Sequence, residues 1–230
     1  MTGARALQES WAKVRKLAEQ HPDEWEGQDL EGDAPLRVFV GTGAPRRVLV
    51  VTKEAPVARW SRSSWPAGLV VVVASGMLTR AHATAIAALA AGGSGPVTFV
   101  GDADPMDLHT FLSLRAHLGP ERARFYGVSD AVLDAMGDPD VEPERLRARD
   151  LSAFDKAHLQ VVQALADPEV LLGPRVAAAL LNGKGLEIEA LSFRAGLVPA
   201  LFAAALKLAS RRSAGPGGAR RPTRRTRKRR

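Results

Sequence analysis

At 230 residues the chain is long enough for one full hydrophobic core and too short for two large domains. It has no cysteine, which excludes disulfides and thiolate chemistry, and no apolar run near the roughly 20 residues that span a bilayer. The formal net charge of +7 is unevenly placed: residues 211–230 carry ten of the 32 Lys and Arg and no acid, so the remainder holds 22 bases against 25 acids.

The N-terminal stretch "MTGARALQESWAKVRKLAEQ" carries acids and lacks an apolar secretory core, so the expected location is cytoplasmic, with no membrane partner. Residues 4–20 predict an amphipathic helix, with Leu7, Trp11, Val14, Leu17 and Ala18 at helical spacing, and 21–35 a polar connection. "GTGAP" at 41–45 lacks the Lys-Ser/Thr pair of a phosphate loop and reads as a turn. Continuous β-branched runs at 47–51 and 69–74 predict strands covered on both faces, and "VTFVG" at 97–101 and "ARFYGV" at 123–128 follow as further strands. Between them "TRAHATAIAALAA" and "PMDLHTFLSLRAHL" have helical period, an alternation that predicts a parallel sheet with helices on both faces, Rossmann-like in plan.

From about 142 onward the strands are expected to stop and helices to take over, punctuated by Pro168, Gly173-Pro174, Gly183 and Pro199. The expected plan is an N-terminal helix and linker over 1–35, an α/β domain over 36–141, a helical portion packed on it over 142–210, and a basic tail over 211–230. The tail, rich in Gly, Pro, Ser and Thr, is expected to be disordered. Its Arg220, Arg221, Arg224, Arg225, Arg227, Lys228, Arg229 and Arg230 suit a polyanion, because a flexible basic run neutralises phosphates and releases their counterions.

The chemistry-bearing stretch is "VGDADPMD", where Asp102 and Asp104 follow an apolar strand. In an open parallel sheet ligands sit beyond the carboxyl ends of the strands. Two carboxylates about 4 Å apart repel by roughly 4 kcal/mol at an effective dielectric near 20, so a divalent cation, a shared proton or a nearby arginine must offset them. Oxygen ligands of this kind suit Mg²⁺. A second reading stands beside it: Asp104 as N-cap, Pro105 at the first helical position and Asp107 in the first turn make a strong helix start. Trp60 and Trp65 beside Arg59 and Arg62 fit either base stacking or packing under a loop. His82, His109, His117 and His158 are scattered, with no pair at a zinc spacing.

Taken in order, "VLVVTKEAPVARW", "SGMLTRAHATAI", "VTFVGDADPMDLHTF", "ARFYGVSDAVL" and "GKGLEIEAL" together resemble the TOPRIM domain of the topoisomerase VI A subunit and its meiotic double-strand-break relatives. The matching stretches are Val51 to Ala55, Gly76 with Thr79-Arg80, Asp102 to Pro105, Phe125 to Val128, and Gly185 to Leu191, the last expected in a late helix. The resemblance implies a TOPRIM-like fold over 36–141, Mg²⁺ as cofactor on Asp102 and Asp104, and Arg80 beside a nucleic-acid phosphate. Thr52 stands where the family has a catalytic Glu, which leaves Glu54, two residues on, as the candidate acid–base group and third metal ligand.

DNA cleavage in that family uses a tyrosine on a preceding winged-helix domain. The one tyrosine here, Tyr126, follows the aspartates inside a predicted strand and is expected in the core. The chain alone is therefore not expected to form a covalent DNA adduct. The expected role is a DNA-associated subunit of a type IIB topoisomerase-like assembly, with RNA left open as the nucleic acid. A tyrosine-bearing or ATPase partner, or a second copy of the chain, would complete it. The alternatives are a free-standing Mg²⁺-dependent nuclease with water as nucleophile, and a catalytically degenerate scaffold for protein–protein contact.

Overall fold

The computed structural model describes residues 36–189, except 61–63, 75, 77, 94, 139–140, 144–145 and 147, together with 197–213 and Lys16. The helix and connection expected over 1–35 (Lys16, which is helical, apart) and the tail residues 214–230 lie outside the described residues.

The main sheet has five strands, β1 (Arg37–Val40), β2 (Arg47–Val51), β3 (Leu69–Val73), β4 (Val97–Val100) and β5 (Ala123–Phe125), in spatial order β1-β3-β2-β4-β5. Strands β3, β2, β4 and β5 run parallel, with Val48 opposite Val70 and Val50 opposite Phe99. Apart from the exposed Arg47 that opens β2, strands β2 and β3 are apolar because both faces are covered: Leu49, Val50, Val51 and Leu69 to Val72 have no exposed surface. Each such side chain contributes about 1.5–3 kcal/mol by leaving water.

Three short or medium helices connect the parallel strands: α1 (Glu54–Ala58) leads from β2 to β3, α2 (Arg80–Ala90) from β3 to β4, and α3 (Pro105–Leu118) from β4 to β5. The first crossover runs one way along the sheet and the next two run the other way. Right-handed connection therefore puts α2 and α3 on one face, where they touch each other. After β5 come α4 (Asp130–Met136), β6 (Ala148–Asp150), α5 (Ala153–Leu165), α6 (Pro168–Leu172), α7 (Pro174–Leu181), β7 (Lys184–Leu186) and α8 (Leu197–Ser213). Helix α5 packs on α3, while α8 packs on β4 and α4. One hydrophobic cluster joins residues from Val48 to Ala209, so the segment after 142 shares the sheet's core. No helix among the described residues is long and apolar enough to cross a membrane.

Several expectations need correction. A fifth strand, β1, pairs antiparallel with β3 at the edge; it is only four residues long and largely exposed, and its apolar run, Val38 to Val40, is three residues long. Strands do not stop at 142: β6 and β7 form a two-stranded antiparallel sheet with Arg149 opposite Gly185. The late helix expected over 185–191 is therefore a strand at its start, because Gly185 and Leu186 are drawn into pairing with β6 and with Ala103. Trp60 and Trp65 are buried, with Trp60 stacked on Phe202 of α8 at 4.9 Å between ring centroids, so neither ring is available to a base. Residues 211–213, expected to belong to a disordered tail, are helical, since α8 runs through Ser213.

Candidate functional site

Strand β2 leads to β3 on one side, and β4 leads to β5 on the other. The crevice between the carboxyl ends of β2 and β4 is thus the place where the winding reverses and where such sheets take ligands. A cavity of about 580 Å³ opens there, and its charged lining is Lys53 and Arg149 against Asp102, Asp104, Asp107, Asp155 and Glu187.

The local chain explains why the acids crowd together. Asp104 is the N-cap of α3, its Oδ1 accepting from the Asp107 N–H at 2.8 Å, with Pro105 at the first helical position. The helix then carries Asp107 back over the strand tip, where its Oδ2 accepts from the Asp102 N–H at 2.6 Å and from the Thr52 hydroxyl at 2.7 Å. Only glycine fits at 101: a Cβ there would lie 2.7 Å from Asp107 Oδ2 and 2.9 Å from the Phe99 ring. The strand end of β2 and the start of α3 are thereby tied through one carboxylate.

Asp102 is buried, and its carboxylate takes partners from outside the helix cap. Its Oδ1 accepts from the Ile188 N–H at 2.7 Å, and its Oδ2 lies 2.6 Å from Lys53 Nζ. The same ammonium lies 2.6 Å from Glu189 Oε2. Backbone bonds between Ala103 and Leu186 hold the two loops in register, Ala103 N donating at 2.9 Å and Leu186 N at 3.3 Å. At the rim, Arg149 Nη1 donates to Asp155 at 2.7 Å, and Asp155 also closes a capping box with Ser152 at the start of α5.

These contacts set the electrostatics. Burial first, and then the Asp104 carboxylate, push Asp102 up to about 7, with Lys53 and the Ile188 N–H pulling the other way. Burial also raises Asp104, against the Asp107 N–H and Arg149, and raises Asp107 well above the usual carboxylate range, with Asp104 and Asp102 adding to it. Burial pulls Lys53 down, but Asp102 and Glu189 outweigh it and the ammonium stays charged. Three crowded carboxylates facing one half-buried ammonium titrate as a unit, and that unit keeps a proton into the neutral range. Asp155 moves the other way: burial raises it, and the hydrogen bonds from Arg149 and Ser152 more than reverse that.

Glu54, expected as acid–base group and metal ligand, is not brought to this cavity. It opens α1 on the exposed side, and its carboxylate pairs with Arg37 of β1 at 2.5 Å. Arg80 opens α2 as an exposed residue outside the cavity lining, although Gly76 just before it is part of that lining. Arg220, Arg221, Arg224, Arg225, Arg227, Lys228, Arg229 and Arg230 lie outside the described residues. Tyr126 is buried, with its hydroxyl enclosed.

The donor set is all oxygen, as Mg²⁺ requires, but its arrangement does not fit a resident ion. Asp102 spends its two oxygens on a backbone N–H and an ammonium, and Asp104 and Asp107 turn an oxygen each to the cap and to the strand tip. An ion joining Asp102 to Asp104 must first displace Lys53. Among the described residues no group of three or more His, Asp or Glu is placed to hold a metal.

Sequence reading missed Lys53, which sits between the more conspicuous Thr52 and Glu54, and its partner Glu189, which lies 136 residues away along the chain. It also missed the buried pair His109 and His158 between α3 and α5, whose ring nitrogens meet at 3.1 Å. No local spacing signals a contact between residues 49 apart.

No family model matches the chain, and no curated protein is similar to it in sequence.

Proposed function

We propose that the chain is a TOPRIM-like subunit of a DNA-associated, type IIB topoisomerase-like assembly that does not cut DNA by itself. The observation that carries this reading is the meeting of four of the five separated stretches at one crevice. Thr52 and Lys53, Gly76, residues of the Asp102 to Asp107 run, and Glu187 line the cavity, Glu189 pairs with Lys53 of that lining, and the fifth stretch is tied to the strand tip by the Val128 N–H donating to the Gly101 carbonyl. The order in which they occur along the chain is the order that produced the resemblance, and a succession of short motifs that also converges in space is better support than any one of them.

Within this reading the chain supplies position and charge and no nucleophile. The buried Tyr126 hydroxyl cannot approach a phosphodiester, so a tyrosine would come from a partner subunit. A second reading, a scaffold without metal chemistry, is favoured by the ammonium of Lys53, which already neutralises the carboxylate that a divalent ion would need.

One titration separates the readings. Mg²⁺ binding is followed by calorimetry, and Mn²⁺ binding by the loss of its free-ion paramagnetic signal, in the full chain and in Lys53→Met. A metal-using subunit binds in both proteins, whereas a scaffold binds in neither. Binding that appears only in Lys53→Met identifies a site closed by its own lysine. Cutting of DNA by the unmodified chain in Mn²⁺, abolished by Asp102→Ala, would overturn both readings in favour of a water-using nuclease.

A further inference from the structure

The main sheet ends at β1, whose outer edge is covered by no strand among the described residues. The pairing inside decides which backbone groups that edge presents. The Gly41 N–H donates to the Leu69 carbonyl at 2.9 Å, one step beyond the Val40–Val70 pair. Bonded and non-bonded pairs alternate along an antiparallel ladder. Phe39 and Arg37 therefore bond to β3 as Gly41 does, and the N–H and C=O of Val38 and Val40 point outward. The other side of β3 agrees: the Ala74 N–H donates to Val51, which commits the even-numbered residues of β3 to β2 and leaves the odd ones for β1.

The same two valines carry exposed apolar side chains. Val38 is 43% and Val40 58% exposed, on one face of the strand, while Phe39 between them packs on the core. Edge strands are normally guarded by an unpaired charge, a proline or a bulge. Strand β1 reads Arg-Val-Phe-Val, and its one charge, Arg37, is tied to Glu54. The edge is open in backbone, apolar in side chain and unguarded.

We infer that the chain forms a two-fold dimer through β1, in which Phe39 faces its own copy across the axis and the two sheets join into one. Val38 then lies opposite Val40 of the second copy. The outward donors and acceptors of both residues are all used, in four backbone bonds. The exposed valines meet as cross-strand β-branched pairs, and Arg37 comes opposite Gly41, so no like charges face each other. An axis through Val38 or Val40 instead would leave the other valine facing Leu36 or Thr42, outside the strand. Four residues a side bury far less than the roughly 800 Å² per partner of a standard interface, so the dimer should dissociate on dilution. The inference needs no nucleic acid and stands or falls apart from the functional reading above.

The test is sedimentation velocity of the full chain over a dilution series, in which the parent should pass from dimer to monomer. Val38→Lys with Val40→Lys sets like charges opposite each other and should stay monomeric throughout. Val38→Lys with Val40→Glu sets opposite charges across the axis and should restore the dimer. The chain has no cysteine, so disulfide trapping gives a second readout of the register. Val38→Cys and Val40→Cys chains, mixed and oxidised, should cross-link to each other in preference to themselves, since opposed Cα atoms would lie about 5.5 Å apart. A parent that remains monomeric at close to millimolar concentration overturns the inference, whether or not it binds DNA. A dimer that survives the double lysine change, or a Val38→Cys chain that links to itself as readily as to the Val40→Cys chain, overturns it equally.

Discussion

An ammonium 2.6 Å from two carboxylates acts differently from a hydrated divalent ion. It brings one charge instead of two, on a stem anchored in the fold, and it cannot exchange for substrate oxygens. Lys53 is half-buried and Asp102 fully so, hence removing the lysine strands an acid in a poor solvent. Breaking a buried pair from one side costs about 3–5 kcal/mol, and the partial exposure of Lys53 brings the expected cost of Lys53→Met to about 2 kcal/mol at pH 8. Since Asp102 takes up a proton near pH 7, the penalty should shrink at pH 5.5. Adding Asp102→Asn should recover most of it at either pH. Urea denaturation of the two variants and the double variant at both pH values measures this coupling. An equal cost at pH 5.5 and pH 8 would show that Asp102 does not titrate in that range.

At the scale of elements, the start of α3 separates the two roles open to Asp104. A cap needs a side-chain oxygen, whereas a metal ligand needs a negative charge. Asp104→Asn keeps the bond to the Asp107 N–H and removes one of three repelling carboxylates, so stability should be unchanged or slightly higher. Asp104→Ala loses the cap and should cost about 1 kcal/mol. Thermal unfolding of both variants reads the difference; a loss in the Asn variant equal to that in the Ala variant would mean the charge matters more than the cap. This helix start was legible in the sequence because capping is local, Asp, Pro and Asp lying within four residues. The central parallel strands were legible for a related reason, since burial on both faces demands an unbroken apolar run. Strands β6 and β7 offer only Ala-Arg-Asp and Lys-Gly-Leu. Their extended form comes from pairing with each other and with Ala103, which no window of sequence contains.

At the scale of the whole molecule, two buried clusters titrate in opposite senses. The carboxylates at the cavity have folded affinities for protons above their unfolded ones. Their contribution is fully present below pH 4 and is lost as pH rises through about 7. His109 and His158, packed against each other between α3 and α5, are held by burial at about 3 and about 4. The imidazoles contribute fully above their unfolded pKa of about 6.5, and that stability is lost as pH falls toward 4. Between pH 4.5 and 6 the two trends oppose each other, so stability should vary little; above pH 6.5 only the carboxylates still change, and it should decline. Asp107→Asn removes the acid raised well above the ordinary range, so the variant should lose much of the alkaline decline and gain stability with pH between 4.5 and 6. His158→Phe has the opposite effect on the acid side, making the chain steadily less stable as pH rises from 4.5. Urea midpoints of the three proteins at pH 4.5, 6 and 7.5 test this balance. Parallel curves for the parent and Asp107→Asn would mean that the cavity acids carry no proton in the folded state, and the crowding of carboxylates around Lys53 would then need another explanation.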